Sequence, residues 1–127
     1  MSTLSKISFR GFSLLTVLLI LQGCGAWDFS DKGLHEAFVI HHNTYVGKKT
    51  IAYVELNGLR PISTKLLSNG NMVNEYFGGP FRYPDVSLKG GYDSPCHYFY
   101  EYKPQTGLIV GFRFEGKFKY ACRETGA

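Results

Sequence analysis

Residues Gly11 to Leu21 read GFSLLTVLLIL, an almost wholly apolar run with no charge, preceded by Lys6 and Arg10 and by no acid. A membrane-spanning helix needs about 20 such residues, so this run has the length of a secretion-signal core. Removing residues 1–23 leaves 104 of the 127 residues to fold. That length supports one small domain with a single modest core. Hydrophobic residues make up 44% and charged ones 19% of the chain, a balance that excludes wholesale disorder. The formal charge of +4 falls to near +2 once Lys6 and Arg10 leave with the signal. So weak a positive balance does not point to nucleic acid, and no nucleic-acid partner is expected.

The run ends in Leu21-Gln22-Gly23-Cys24. This tetrapeptide resembles the bacterial lipobox, with an aliphatic residue at −3, a small residue at −1 and then cysteine. The resemblance implies lipidation of Cys24 on sulfur, cleavage before it and acylation of the new amino group. Three acyl chains exceed the two signals that stable anchoring requires. Gly25 follows Cys24 where an Asp would act as a retention signal. The expected location is therefore the outer membrane, periplasmic face. Residues 24–32 are then a lipidated tether, with Trp27 and Phe29 placed either at the bilayer interface or beneath the domain, and residues 33–127 are the domain.

With Cys24 lipidated, Cys96 and Cys122 remain. In an oxidising compartment the default for two such cysteines is a bridge to one another. They lack the CxxC spacing of a redox pair or a zinc knuckle.

Along the domain, Leu34 to His42 (LHEAFVIHH) places Leu34, Phe38 and His41 on one helical face and reads as a helix, although Phe38-Val39-Ile40 would also suit a strand. Thr50 to Asn57 predicts a short helix, capped by Thr50, carrying a partial stripe of Ile51, Val54 and Leu56, and stopped at Asn57-Gly58 before Pro61. Ile62–Leu67 and Met72–Phe77 flank Asn69-Gly70, the strongest short-range hairpin signal. A turn centred there pairs Leu66 with Val73 and Ile62 with Phe77 and puts all four in the core.

Gly78 to Pro95 holds four Gly and three Pro and reads as a long loop, a kind of segment that is usually functional or mobile. Phe81, Tyr83, Val86, Leu88 and Tyr92 are spaced along it. Phe81, Tyr83, Leu88 and Tyr92 are the candidate partner contacts, with folding down over the sheet as the alternative. A second hairpin, Cys96–Lys103 with Leu108–Glu115, turns through Pro104-Gln105-Thr106-Gly107. Setting Tyr102 opposite Leu108 puts Tyr98 opposite Phe112, Tyr100 opposite Val110 and Phe99 opposite Gly111. The even-numbered face is then core, and His97, Glu101, Lys103, Arg113 and Glu115 face solvent. A tight third strand over residues 117–122 would carry Cys122 far beyond the roughly 7 Å between Cα atoms that a bridge tolerates. The bridge is preferred, so the tail after Gly116 is expected to turn back irregularly.

This order resembles a known group. Val46-Gly47-Lys48, a helix, Gly58-x-x-Pro61, a hairpin, then Cys96, Gly107-Leu108-Ile109 and Ala121-Cys122-Arg123 look like small Gram-negative outer-membrane lipoproteins. More distantly, roughly residues 44–123 are similar to the SmpA/OmlA (BamE-like) group. That resemblance implies a helical part set against a three-stranded antiparallel sheet, and it implies no catalytic residues. The long Gly/Pro loop and the two cysteines depart from the pattern, so a role in barrel assembly does not carry over.

Little in the sequence points to catalysis. It holds no GxSxG, HExxH or phosphate-binding loop. Its glycine pairs at 78–79 and 90–91 precede no helix. Of the four histidines, His35 and His42 can share a helical face, whereas His41 and His42 should diverge, and no carboxylate stands at i+3 or i+4 to complete a metal site with them. Neither metal nor cofactor is expected. The reading is an α+β fold, a short N-terminal helical part packed on a small antiparallel sheet of two hairpins with one disulfide. Its expected function is non-enzymatic: a lipid-anchored envelope protein serving as a structural or protein-interaction module, held to the membrane by its N-terminal lipid and bound to an unidentified envelope protein. The alternatives are a periplasmic inhibitor of a lysozyme-like enzyme and an entry-exclusion type lipoprotein.

Overall fold

The computed structural model describes residues 28–88 and 90–124. Cys24, Trp27 and the signal segment lie outside the described residues. Helix α1 (Asp31–Asn43) opens on Ser30, whose hydroxyl accepts the Gly33 N–H at 3.1 Å, with Asp31 in the first turn. Both features stabilise the positive end of a helix. The helix thus begins two residues inside the stretch assigned to the tether. Gly33 is required at its place, since a Cβ there would sit 2.3 Å from the Asp28 carbonyl oxygen.

The inward face of α1 is not the expected Leu34–Phe38–His41 stripe. Besides Gly33, Phe38 is its buried residue, and His42 packs beside Phe38 with ring centroids 4.3 Å apart, while His41 is exposed. Phe38 seats against Tyr98, Phe112 and Phe114 at 5.7, 6.0 and 6.1 Å. Helix α2 (Ile51–Val54) is capped by Thr50 as expected and is shorter than the predicted 50–57. Its chain continues as turns to Gly58, which takes φ +85, and Leu56 points outward instead of joining the stripe. The link between the helices is bonded to the sheet edge, with Gly47 N–H to Ile109 O at 2.7 Å, Ile109 N–H to Lys49 O at 3.0 Å and Ile51 N–H to Gly107 O at 2.8 Å.

Four antiparallel strands form the sheet in the order β1-β2-β5-β6: β1 (Ser63–Leu66), β2 (Met72–Gly78), β5 (Cys96–Tyr102) and β6 (Ile109–Gly116). Between β2 and β5 the chain makes a separate two-stranded unit, β3 (Tyr83–Pro84) with β4 (Tyr92–Asp93). The architecture is α+β, with the helical layer covering one face of the sheet.

The first hairpin corrects the expected register. Leu66 pairs with Met72 and Lys65 with Val73. The turn is a three-residue loop, Ser68-Asn69-Gly70, closed by Leu67 N–H to Asn71 O at 2.8 Å, with Gly70 at φ +88. Three-residue hairpin loops with glycine in the left-handed region are a standard alternative to the two-residue turn. One extra loop residue moves the pairing by one, and the residues set opposite one another change sides. Leu66 is 70% exposed, and the buried residues of β2 are Asn74, Tyr76 and Gly78, not Val73 and Phe77.

The second hairpin is displaced by two residues, pairing Tyr100 with Phe112 and Tyr98 with Phe114. An even displacement preserves facing, so Tyr98 and Tyr100 are core as expected. A bulge between Glu101 and Tyr102 then aligns Tyr102 with Ile109, so Ile109 rather than Val110 is buried. Phe99 faces Arg113 instead of Gly111, and the guanidinium lies 3.8 Å from its ring centroid. After Gly116 the tail leaves the sheet. Lys117 N–H reaches Pro95 O at 2.8 Å, Tyr120 takes φ +62, and Cys122 bridges Cys96 with Cα atoms 4.9 Å apart.

The core comprises Phe38, Tyr76, Cys96, Tyr98, Tyr100, Ile109, Ala121 and Cys122. Its tyrosines carry hydroxyls that need partners. Tyr76 donates to Glu55 at 3.0 Å and accepts from Asn74 at 3.0 Å, and Tyr100 hydrogen-bonds the His42 ring. Asn74 also accepts from Thr64 at 2.8 Å and from Tyr102 at 3.1 Å. Burial pushes the Tyr76 and Tyr100 phenols far above their ordinary value and Tyr98 up to about 12, so all three hydroxyls stay neutral.

Candidate functional site

The stretch 78–95 is a built hairpin rather than a structureless loop. Its base is tight. A Cβ on Gly78 would come within 2.8 Å of the Tyr98 ring and 2.9 Å of Cys96 Sγ, so only glycine lets the chain leave β2 over the disulfide. Ser94 is fully buried. Its hydroxyl donates to Gly78 O at 2.6 Å and accepts the Cys96 N–H at 3.2 Å, joining the outgoing and returning chains. The distal end closes through Asp85 N–H to Gly91 O at 2.8 Å, and the Asp85 carboxylate accepts from both the backbone and the hydroxyl of Ser87. An aspartate accepting from the residue two places on is a self-contained turn. Those bonds hold the Asp85 carboxyl below its ordinary value.

A polar clasp ties this hairpin to the outer face of the sheet. His97 on β5 reaches Asp93 Oδ1 at 2.8 Å with Nε2 and Glu75 Oε1 at 3.3 Å with Nδ1, and Lys117 donates to Asp93 Oδ2 at 2.7 Å. The hydrogen bonds from Lys117 and His97 bring the Asp93 carboxyl down to about 2. Burial alone would lower His97, but its bonds and charge contacts with Asp93 and Glu75 outweigh that and raise it.

The candidate contact residues divide. Tyr83 and Tyr92 are 54% and 55% exposed. Phe81 is less exposed and leans on Arg123, whose guanidinium is 5.0 Å from the ring. Leu88 is half-buried and helps form the turn, with its N–H on Asp85 O and its own carbonyl accepting the Gly91 N–H. Val86, which is not among the four candidate contacts, stands fully exposed at the tip. The signal for it was Asp85-Val86-Ser87, in which the turn-forming pair leaves the middle side chain pointing away. Tyr83, Val86 and Tyr92 thus form the free apolar surface of the hairpin.

The histidines are arranged differently from expectation. His41 and His42 do not diverge, and their rings stack with centroids 5.1 Å apart at 28°. The tail brings a carboxylate to them, with His41 Nδ1 lying 2.7 Å from Glu124 Oε1. Burial, with His41 beside it, lowers His42 to about 3, so its ring is neutral. The pair lines a cleft of ≈ 410 Å3 together with Tyr45, Tyr53, Val54, Leu59, Tyr98 and Tyr100. His35 is spent on structure, its Nδ1 2.6 Å from Cys122 O.

No protein-family model, curated protein or solved structure matches this chain.

Proposed function

We propose that this chain is a lipid-anchored envelope protein whose domain acts as a non-enzymatic interaction module, and that the β3–β4 hairpin is the surface that takes the partner. One observation carries this reading. Two tyrosines and a valine stand free on a hairpin whose base is fixed by Ser94, the Asp93–His97–Lys117 clasp and the adjoining disulfide. Exposed aromatics on an ordered platform bind with little loss of conformational freedom, and tyrosine is among the residues that most often dominate an interface. The lipid anchor rests on Leu21-Gln22-Gly23-Cys24, and delivery to the outer membrane on Gly25. Kinship with the SmpA/OmlA (BamE-like) group rests on the sequence motifs alone, because the three-stranded sheet which that resemblance implies is here a four-stranded one. The extra hairpin and the disulfide give this chain a recognition surface of its own.

The test uses in-cell crosslinking from envelopes. The double substitution Tyr83→Ala, Tyr92→Ala should abolish the crosslinked partner while leaving the melting temperature within a degree or two, as for exposed side chains generally. Loss of many degrees would assign the two rings to the core and reject the site. Cys24→Ser should release the protein from the outer membrane and end palmitate labelling. Continued labelling would reject the anchor. A second reading is favoured by the fully exposed Val86 at a narrow tip, a shape suited to entering an enzyme cleft. In that case the purified protein protects cells from lysozyme in a turbidity assay, and Val86→Asp removes the protection.

A further inference from the structure

We propose that His41, His42 and Glu124 form a binding site for a divalent transition-metal cation of the zinc class. One ring nitrogen of each histidine and one carboxylate oxygen lie within 4.8 Å of one another. Two imidazoles and a carboxylate are a set that zinc accepts, with a fourth position left for water or a partner's side chain. Zinc bonds of about 2.0–2.1 Å to nitrogen and oxygen put tetrahedral ligand atoms about 3.3 Å apart. The His41–Glu124 pair, at 2.7 Å, is already inside that spacing. Closing the widest gap takes a side-chain movement on the order of 1.5 Å to reach the zinc spacing.

The ligands are held from behind, which separates this cluster from a chance meeting of surface groups. Glu124 does not hang from a loose tail. Cys122 is bridged to Cys96, and its carbonyl lies 2.6 Å from His35 Nδ1. Arg123 pairs with Asp31 at 2.9 Å, and the Glu124 N–H donates to Leu34 O at 3.1 Å. Three successive tail residues are therefore fixed along α1, and the third delivers its carboxylate. Each imidazole also has a tyrosine hydroxyl on one ring nitrogen. Tyr45 lies 2.7 Å from His41 Nε2, and Tyr100 bonds His42 Nδ1. A partner on one ring nitrogen that orients the other is the usual support of a metal-bound histidine. Both histidines sit in the last turn of a 13-residue helix, where the helix dipole favours a cation. The tyrosine-lined cleft opens beside them and gives the ion a route in.

The experiment is equilibrium dialysis of the full chain, purified in detergent without a histidine tag, stripped with chelator and exposed to zinc chloride alone. One zinc per chain is expected, with a dissociation constant in the micromolar range or tighter. His41→Ala replaces an exposed side chain and Glu124→Gln a half-buried one by its near-isostere, and circular dichroism checks that both variants are folded. Each should weaken binding by at least about tenfold. His97→Gln alters a histidine outside the cluster and should leave binding unchanged. Absence of stoichiometric binding at about 100 µM zinc, or wild-type affinity in folded His41→Ala and Glu124→Gln, overturns the site.

Discussion

Tyrosine does opposite work in two parts of this molecule. On the inner face of the sheet, Tyr76 and Tyr100 are wholly buried and Tyr98 nearly so, and the hydroxyls of the first two bond Glu55 and His42. On the β3–β4 hairpin, Tyr83 and Tyr92 are more than half exposed, and two residue pairs, not seven, hold the strands together. The inner tyrosines are ordered by what covers them. The hairpin is ordered by its ends: Ser94 and the clasp at the base, Asp85 at the turn. A surface held in that way can display apolar side chains without needing them for its own stability.

The sharpest way to break this comparison is to truncate one ring from each region. Tyr100→Ala should cost about 3–5 kcal/mol, the range for losing a large buried aromatic, and more in the sense that it strands the His42 ring without its hydroxyl partner. Tyr83→Ala should stay within about 0.5 kcal/mol, as exposed positions do. Urea denaturation of the two variants measures both. A loss of several kcal/mol from Tyr83→Ala would erase the distinction.

Next in size is the bridge that joins the regions. Cys96 begins β5 directly beneath the hairpin, and the cystine spans 26 residues. In the loop-entropy model that span contributes about 3.5 kcal/mol. Replacing both cysteines by alanine should lower stability by about that amount and should also loosen the hairpin, because Gly78 leaves β2 against Cys96 Sγ. Hydrogen exchange at Asp85 and Gly91 reports the local part. If global stability falls with hairpin protection unchanged, the hairpin is held by Ser94, the clasp and its own turn without help from the bridge.

These assignments also show what one sequence can reveal. Local chemistry was legible: Thr50 as a cap, Gly70 at positive φ in a hairpin turn, Tyr98 and Tyr100 facing inward, and a cystine that forbade a third tight strand. Register was not. Ser68 enters the first loop, and that one residue sends Leu66 outward and brings Asn74 inward. In the second hairpin, facing survived a displacement because the displacement was even, until the bulge reset it at Ile109. Asn74 was invisible as a core residue because its reason for burial is tertiary. It is satisfied by Thr64, Tyr76 and Tyr102 together. Glu124 joins His41 and His42 by the same kind of long-range meeting. Spacing rules look three or four residues along a helix, and the tail reaches that helix only because Cys122 is fastened beside it.

The smallest expected effect is confined to the hairpin and follows from the clasp. The charged groups around His97 are Glu75 on β2, Asp93 on β4, Glu115 opposite it on β6 and, through Asp93, Lys117. His97 is raised above its ordinary 6.5. Its contribution is therefore fully present below pH 6.5 and is lost as pH climbs through the raised value. Asp93 is lowered from 3.8 to about 2, so its contribution is present above pH 3.8 and is lost as pH falls toward 2. The clasp is strongest between these limits, roughly pH 4 to 6.5. Protection of the Asp85 amide, corrected for the intrinsic pH dependence of exchange, should be greater at pH 5.5 than at pH 8.5, with the global melting temperature little changed. His97→Gln should flatten that profile. Equal protection at both pH values in the wild type would show that the hairpin is held by Ser94 and its turn, and that the clasp adds nothing to the order of the proposed contact surface.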